Sequence, residues 1–123
     1  MLEMMEINID NAIAFRIAGK VTEDDMSSVL NAAKRKIEQH GNIVFLEQID
    51  PFDGIELAAI VDEFKYLFEV GMSSISKVAV LTDKKWLKNI ARIEDKIFRH
   101  IEIRSFSIEE RESAIDFLRT SQN

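Results

Sequence analysis

The 123-residue chain contains no cysteine, which excludes a disulfide framework and any thiolate metal site. It has two histidines, His40 and His100, both at expected element ends. No apolar run approaches the ~20 residues that a membrane-spanning helix needs. Neither G-x-G-x-x-G nor G-x-x-x-x-G-K-[ST] occurs, so no phosphate-cradling loop is signalled. No G-x-S-x-G turn presents a serine nucleophile. All four glycines, Gly19, Gly41, Gly54 and Gly71, fall where a turn or helix cap wants one. A basic surplus is missing too. The net charge of −6 argues against general nucleic-acid binding, because phosphate contacts need a basic face.

What is present is a core. Hydrophobic residues make up 46% of the chain, and a chain of this length buries roughly two-thirds of its unfolded surface. One domain spanning 1–123 is expected. The N-terminal stretch Met1-Leu-Glu-Met-Met-Glu-Ile7 is acidic and alternating, unlike a basic, apolar signal peptide. The expected compartment is the cytoplasm.

Residues 2–9 alternate, Asp10-Asn11 forms a turn pair, and Ala12 to Ala18 is β-rich, so the two runs read as a hairpin closed by Gly19. Thr22 and Asp25 resemble a capping box. The helix they open carries Met26, Val29, Leu30, Ala33 and Ile37 at helical spacing and ends at His40-Gly41. Ile43 to Ile49 reads as a strand covered on both faces, broken by Asp50-Pro51-Phe52-Asp53-Gly54. A helix follows over 55–70, with Leu57, Ile60, Val61, Phe64, Leu67 and Phe68 on one stripe. Lys77 to Leu81 is a buried-type strand, and Asp83 caps a helix running to about Phe98. Ile101 to Phe106 alternates. Ser107 and Glu110 then box the last helix, whose apolar side is Ile108, Ala114, Ile115 and Leu118. The order is ββαβαβαβα, which implies an α/β fold with a parallel or mixed sheet.

Two segments carry the functional signal. The first is the loop Asp50, Pro51, Phe52, Asp53, Gly54 at the carboxyl end of a strand, where α/β sheets place their sites. It suits a partner contact; alternatively Pro51 ends the strand, Asp53 caps the helix and Phe52 staples it. The second is the 83–98 helix. Residues 84–99 hold six bases (Lys84, Lys85, Lys88, Arg92, Lys96, Arg99) against Glu94 and Asp95, a local +4 that leaves −10 elsewhere. On a helical wheel the bases oppose Trp86, Ile90, Ile93 and Ile97. The apolar arc spans roughly 160°, wider than the ~100° of a core-facing stripe. A basic amphipathic helix with a tryptophan suits an anionic membrane surface. Equally, a crossover helix covers the sheet with such a face and stays soluble through its bases. Opposite the core stripe of the 55–70 helix, Ile55, Ala59, Tyr66 and Val70 form a second stripe. Facing the basic helix, it would line a crevice for a lipid-like ligand or a homodimer contact. Acidic clusters such as Glu23-Asp24-Asp25 lie in first helical turns, where the dipole favours them, so no metal site is expected. No catalytic set and no cofactor are expected either.

The run Lys77-Val-Ala-Val-Leu-Thr-Asp-Lys-Lys-Trp86, then Phe98, the strand Ile101-Glu-Ile-Arg-Ser-Phe106 and Glu109 to Leu118 with Ala114, resembles the SpoIIAA-like family. These are proteins of the STAS-type fold, named after the sporulation anti-sigma-factor antagonist. The resemblance covers nearly the whole chain. It implies a mixed sheet of four to five strands with helices mainly on one face. In the regulatory antagonists a serine near the start of the helix after the third strand is phosphorylated to control a protein partner. Here Asp53 stands roughly at that place, and a carboxylate carries one charge where a phosphate carries nearly two. The expected function is a non-enzymatic binding module for an apolar or amphipathic ligand, or a membrane surface to which the domain is peripheral. The alternative is a STAS-type protein–protein regulator that lacks the phosphorylatable serine.

Overall fold

The computed structural model describes residues 2–19, 22–50, 74–83 and 102–119. Strands β1 (Leu2–Met5), β2 (Ala12–Ala18), β3 (Ile43–Asp50), β4 (Ile75–Thr82) and β5 (Glu102–Ser107) form one sheet in that spatial order. β1 is antiparallel to β2, and β2 through β5 run parallel. Helix α1 (Glu23–His40) crosses from β2 to β3, and helix α2 (Arg111–Arg119) follows β5 through the 3₁₀ turn Ile108–Glu110. The result is the five-stranded mixed sheet of a STAS-like α/β fold. The expected 55–70 helix, and the expected 83–98 helix beyond Asp83, lie outside the described residues.

Alternation along each strand sorts the core into two layers. Ile13, Phe15, Ile17, Ile43, Phe45, Ile49, Val78 and Val80 turn toward α1 and pack with its Val29 and Ala33. Ala12, Ala14, Val44, Leu46, Ala79 and Leu81 turn the other way, onto Ala114, Phe117 and Leu118 of α2. Coverage of both faces explains why β3 opens on an unbroken apolar run. Phe15 and Phe45 meet edge to face, ring centres 6.2 Å apart, a geometry worth about 0.5–1.5 kcal/mol beyond area burial.

The first helix forms where local chemistry demands it. Thr22 accepts from the Asp25 backbone N–H at 3.1 Å, and Asp25 accepts from the Thr22 backbone N–H at 3.0 Å. The chain leaves α1 through Gly41, whose N–H donates to the Ile37 carbonyl at 2.8 Å. Its φ of 82° lies in a region L side chains rarely adopt.

Several expected boundaries move. β1 stops at Met5, because Ile7 leaves the strand to fill the α2-side core at 6% exposure and Asn8 takes φ 58°. Asn tolerates that conformation better than most residues. β3 runs one residue further than expected, so Asp50 is a strand residue paired with Ala18 and not part of the breaking loop. Ser107 and Glu110 do form a capping box, but it opens the 3₁₀ turn before α2. Ile108 is therefore 39% exposed, and Phe117 takes a place in the core beside Ala114 and Leu118.

β4 starts two residues earlier than expected and carries an irregularity. Ile43 pairs with Ile75, yet Val44 pairs with Lys77, leaving Ser76 as the extra residue. A bulge of this kind re-aims the side chains beyond it. Ile75 stays on the α1 face, while Lys77 swings to the α2 face. There its Nζ donates to the Phe117 carbonyl at 3.0 Å and lies 4.9 Å from the centre of the Phe117 ring. The bulge thus ties the end of α2 to the middle of the sheet.

Candidate functional site

β2, β3 and β4 end together at one edge of the sheet, the carboxyl edge at which parallel α/β sheets collect their sites. Asp50, the last residue of β3, is the one expected site residue that the structure describes. Its Oδ2 accepts from Arg16 Nε at 2.5 Å and forms an ion pair with Nη2 at 2.5 Å, and its Oδ1 accepts from Gln48 Nε2 at 3.1 Å. Alternation puts all three side chains on the α2 side of the sheet, and register explains their meeting: Arg16 pairs with Gln48, and Ala18 with Asp50. The forked guanidinium suits a carboxylate. With the Arg16 and Asp50 side chains 39% and 24% exposed, water weakens the pair, and its worth is about 1 kcal/mol or less. Its structural consequence is positional: the carboxylate that ends β3 is held in place from two sides. The other expected site residues, Phe52, Asp53, Gly54, Ile55, Ala59, Tyr66, Val70, Lys84, Lys85, Trp86, Lys88 and Ile90, lie outside the described residues.

The structure adds two residues that sequence inspection did not single out. Glu47 lies between Phe45 and Ile49 on β3, in phase with both, and so turns toward the α1 layer. It is 2% exposed, and its Oε1 has no hydrogen-bond partner. Burial pushes its carboxyl well above the usual carboxylate range. Thr82 stands in phase with Val78 and Val80 on β4, is 0% exposed, and its Oγ1 is likewise without a partner. Glu47 pairs laterally with Val80, and Thr82 with Ser107, whose hydroxyl donates to Glu110 at 2.9 Å. The strand period contained the signal: each polar residue falls on the apolar phase of its strand.

Elsewhere an open cleft of about 470 Å³ lies between the β1–β2 turn (Glu6, Asn8) and α2 (Arg111, Asp116, Arg119). With Glu112 its lining carries three acids against two bases, a mixed charge that marks it for no particular ligand. Among the described residues no group of three or more His, Asp or Glu could hold a metal ion, and no helix is long and apolar enough to cross a membrane.

Comparison with known proteins found no match among curated proteins or solved structures. A family model described as SpoIIAA-like matches residues 12–119, from the start of β2 to the end of α2. The match takes in the carboxyl edge of the sheet, with Asp50, Glu47 and Thr82, and the protein belongs to the SpoIIAA-like family.

Proposed function

We propose that the chain is a non-enzymatic binding module that engages an apolar or amphipathic ligand, or an anionic membrane surface, through segments 55–70 and 83–98. One observation carries this. β3 and β4 are adjacent and parallel, and Gln48 pairs with Leu81, so the chain leaves Asp50 and Asp83 from the same edge of the sheet. The chain thus departs toward the two stretches that the sequence marks as amphipathic from neighbouring strand ends, at the edge where an α/β sheet presents its binding site. Lys84, Lys85 and Lys88 supply the charge for an anionic surface, and Trp86 and Ile90 the apolar contact. The chain's single tryptophan is Trp86, which makes its emission a direct reporter. Titration with anionic vesicles should shift that emission to the blue, and neutral vesicles should not. No shift with either would refute the proposal.

A second reading, a STAS-type protein–protein regulator, is favoured by the Arg16–Asp50–Gln48 cluster, which fixes the carboxylate at the end of β3, next in the chain to residues 51–54. With Asp53 at the phosphoacceptor place, a STAS-type kinase should leave residues 50–54 unlabelled. A phosphate mapped there would remove that reading.

A further inference from the structure

A buried acid with an unpartnered oxygen, two residues along from a buried unpartnered hydroxyl on the next strand, is a costly arrangement. Each such group loses its water without regaining a hydrogen bond, at a cost of about 1–3 kcal/mol. Native folds retain few such groups, and those retained call for an explanation in a bound species or a function. Glu47 and Thr82 share one face of the sheet, near the carboxyl ends of β3 and β4. Glu47 pairs laterally with Val80, which sets Thr82 one same-face step further along the neighbouring strand.

Among the described residues their surroundings are apolar. Phe45 and Ile49 flank Glu47 on its own strand, Phe15 and Val80 stand beside it, and Val80 precedes Thr82 on the same face. No sheet residue of the α1-side core is basic; Arg16, Lys77 and Arg104 belong to the opposite phase of their strands. Among the described residues a negatively charged head would find no counter-ion here, and it would meet the Glu47 carboxyl. A lone buried water makes about two to four hydrogen bonds, and the two unpartnered side-chain atoms here meet only the lower limit.

We propose that Glu47 and Thr82 form the polar end of a binding site for an otherwise apolar molecule bearing an uncharged hydroxyl or carbonyl head. This deepens the ligand-binding function proposed above and rests on it. The carboxyl and the hydroxyl can each donate and accept, so together they satisfy a head that does either. The neighbouring Phe and aliphatic side chains meet the apolar body.

The test is calorimetric titration of the full chain at pH 7 with 1-decanol, decylamine and decanoate, which share a tail and differ in head. Decanol should bind, and the two charged probes should bind at least tenfold more weakly. Thr82→Val and Glu47→Leu should each weaken decanol by about tenfold, the loss of one hydrogen bond to the ligand. Glu47→Gln, which keeps an uncharged donor and acceptor, should stay within about threefold of the parent. Unfolding midpoints measured alongside guard against misfolding: both apolar variants remove an unpartnered buried group, so both should be at least as stable as the parent. Preference for decylamine or decanoate overturns the proposal, as does equal decanol binding by all variants, or none by the parent. If Trp86 still responds to anionic vesicles in any of those cases, this site alone is refuted and the membrane-binding function stands.

Discussion

Replacing Glu47 by glutamine should abolish a pH dependence of stability that the parent protein carries. The side chain is 2% exposed with an unpartnered Oε1, and burial holds its carboxyl well above the usual carboxylate range. In the unfolded chain a glutamate titrates near pH 4.3. Between that value and the raised native one, the folded protein binds more protons than the unfolded chain. Stability therefore falls as pH rises through this window, by up to about 1.4 kcal/mol per pH unit for one proton. The contribution is fully present below about pH 4.3 and is lost as pH rises through the native value. Glutamine is nearly isosteric and cannot ionise. The assay is urea unfolding of both proteins, followed by far-ultraviolet circular dichroism from pH 4 to pH 8. The other ionisable groups titrate alike in the two proteins and largely cancel in the difference. With a urea dependence of about 1–3 kcal/mol per molar, the variant's midpoint should gain roughly 0.5–1.4 M on the parent per pH unit across the window. A difference that stays flat from pH 4 to pH 8 refutes the reasoning, because Glu47 would then titrate as it does in water.

Three further outcomes follow from particular contacts. Thr22→Ala removes the side-chain acceptor that caps α1 and should cost about 1 kcal/mol in urea unfolding; no change would mean the cap is idle. Phe45→Ala empties a 0% exposed site against Phe15 and should cost about 3–5 kcal/mol by the same measurement, whereas a loss below 1 kcal/mol would contradict the packing described. Arg16→Ala should cost about 1 kcal/mol or less, and the loss should shrink at high salt as the exposed pair is screened; a larger, salt-independent loss would show the pair to be buried.

Features written in neighbouring residues were legible before the fold was known. The Thr22–Asp25 box and Gly41 mark both ends of α1 because capping is a matter of three or four residues. The apolar run of β3 announced a strand covered on both faces. What escaped depends on pairing between distant segments. The bulge at Ser76 exists only relative to β3, so the turn of Lys77 onto Phe117, 40 residues away, could not be read from β4 alone. Arg16 and Asp50 meet across 34 residues because two strands share a register. Ile108 looked apolar enough for the core, but the box at Ser107 opens a 3₁₀ turn, and the tighter winding leaves it exposed. Glu47 is intermediate: its phase was visible, while its burial needs the layer above the sheet.

The binding function is tested most directly by co-sedimentation with vesicles over a salt series. Each base near an anionic surface contributes on the order of 1 kcal/mol. Replacing Lys84, Lys85 and Lys88 by glutamine should therefore lower affinity by roughly 100-fold, with the unfolding midpoint unchanged. The parent should pellet with anionic vesicles at low salt, release as the Debye length contracts from about 30 Å at 0.01 M to 3 Å at 1 M, and ignore neutral vesicles. A parent protein that stays in the supernatant with anionic vesicles at low salt would contradict the membrane-binding account.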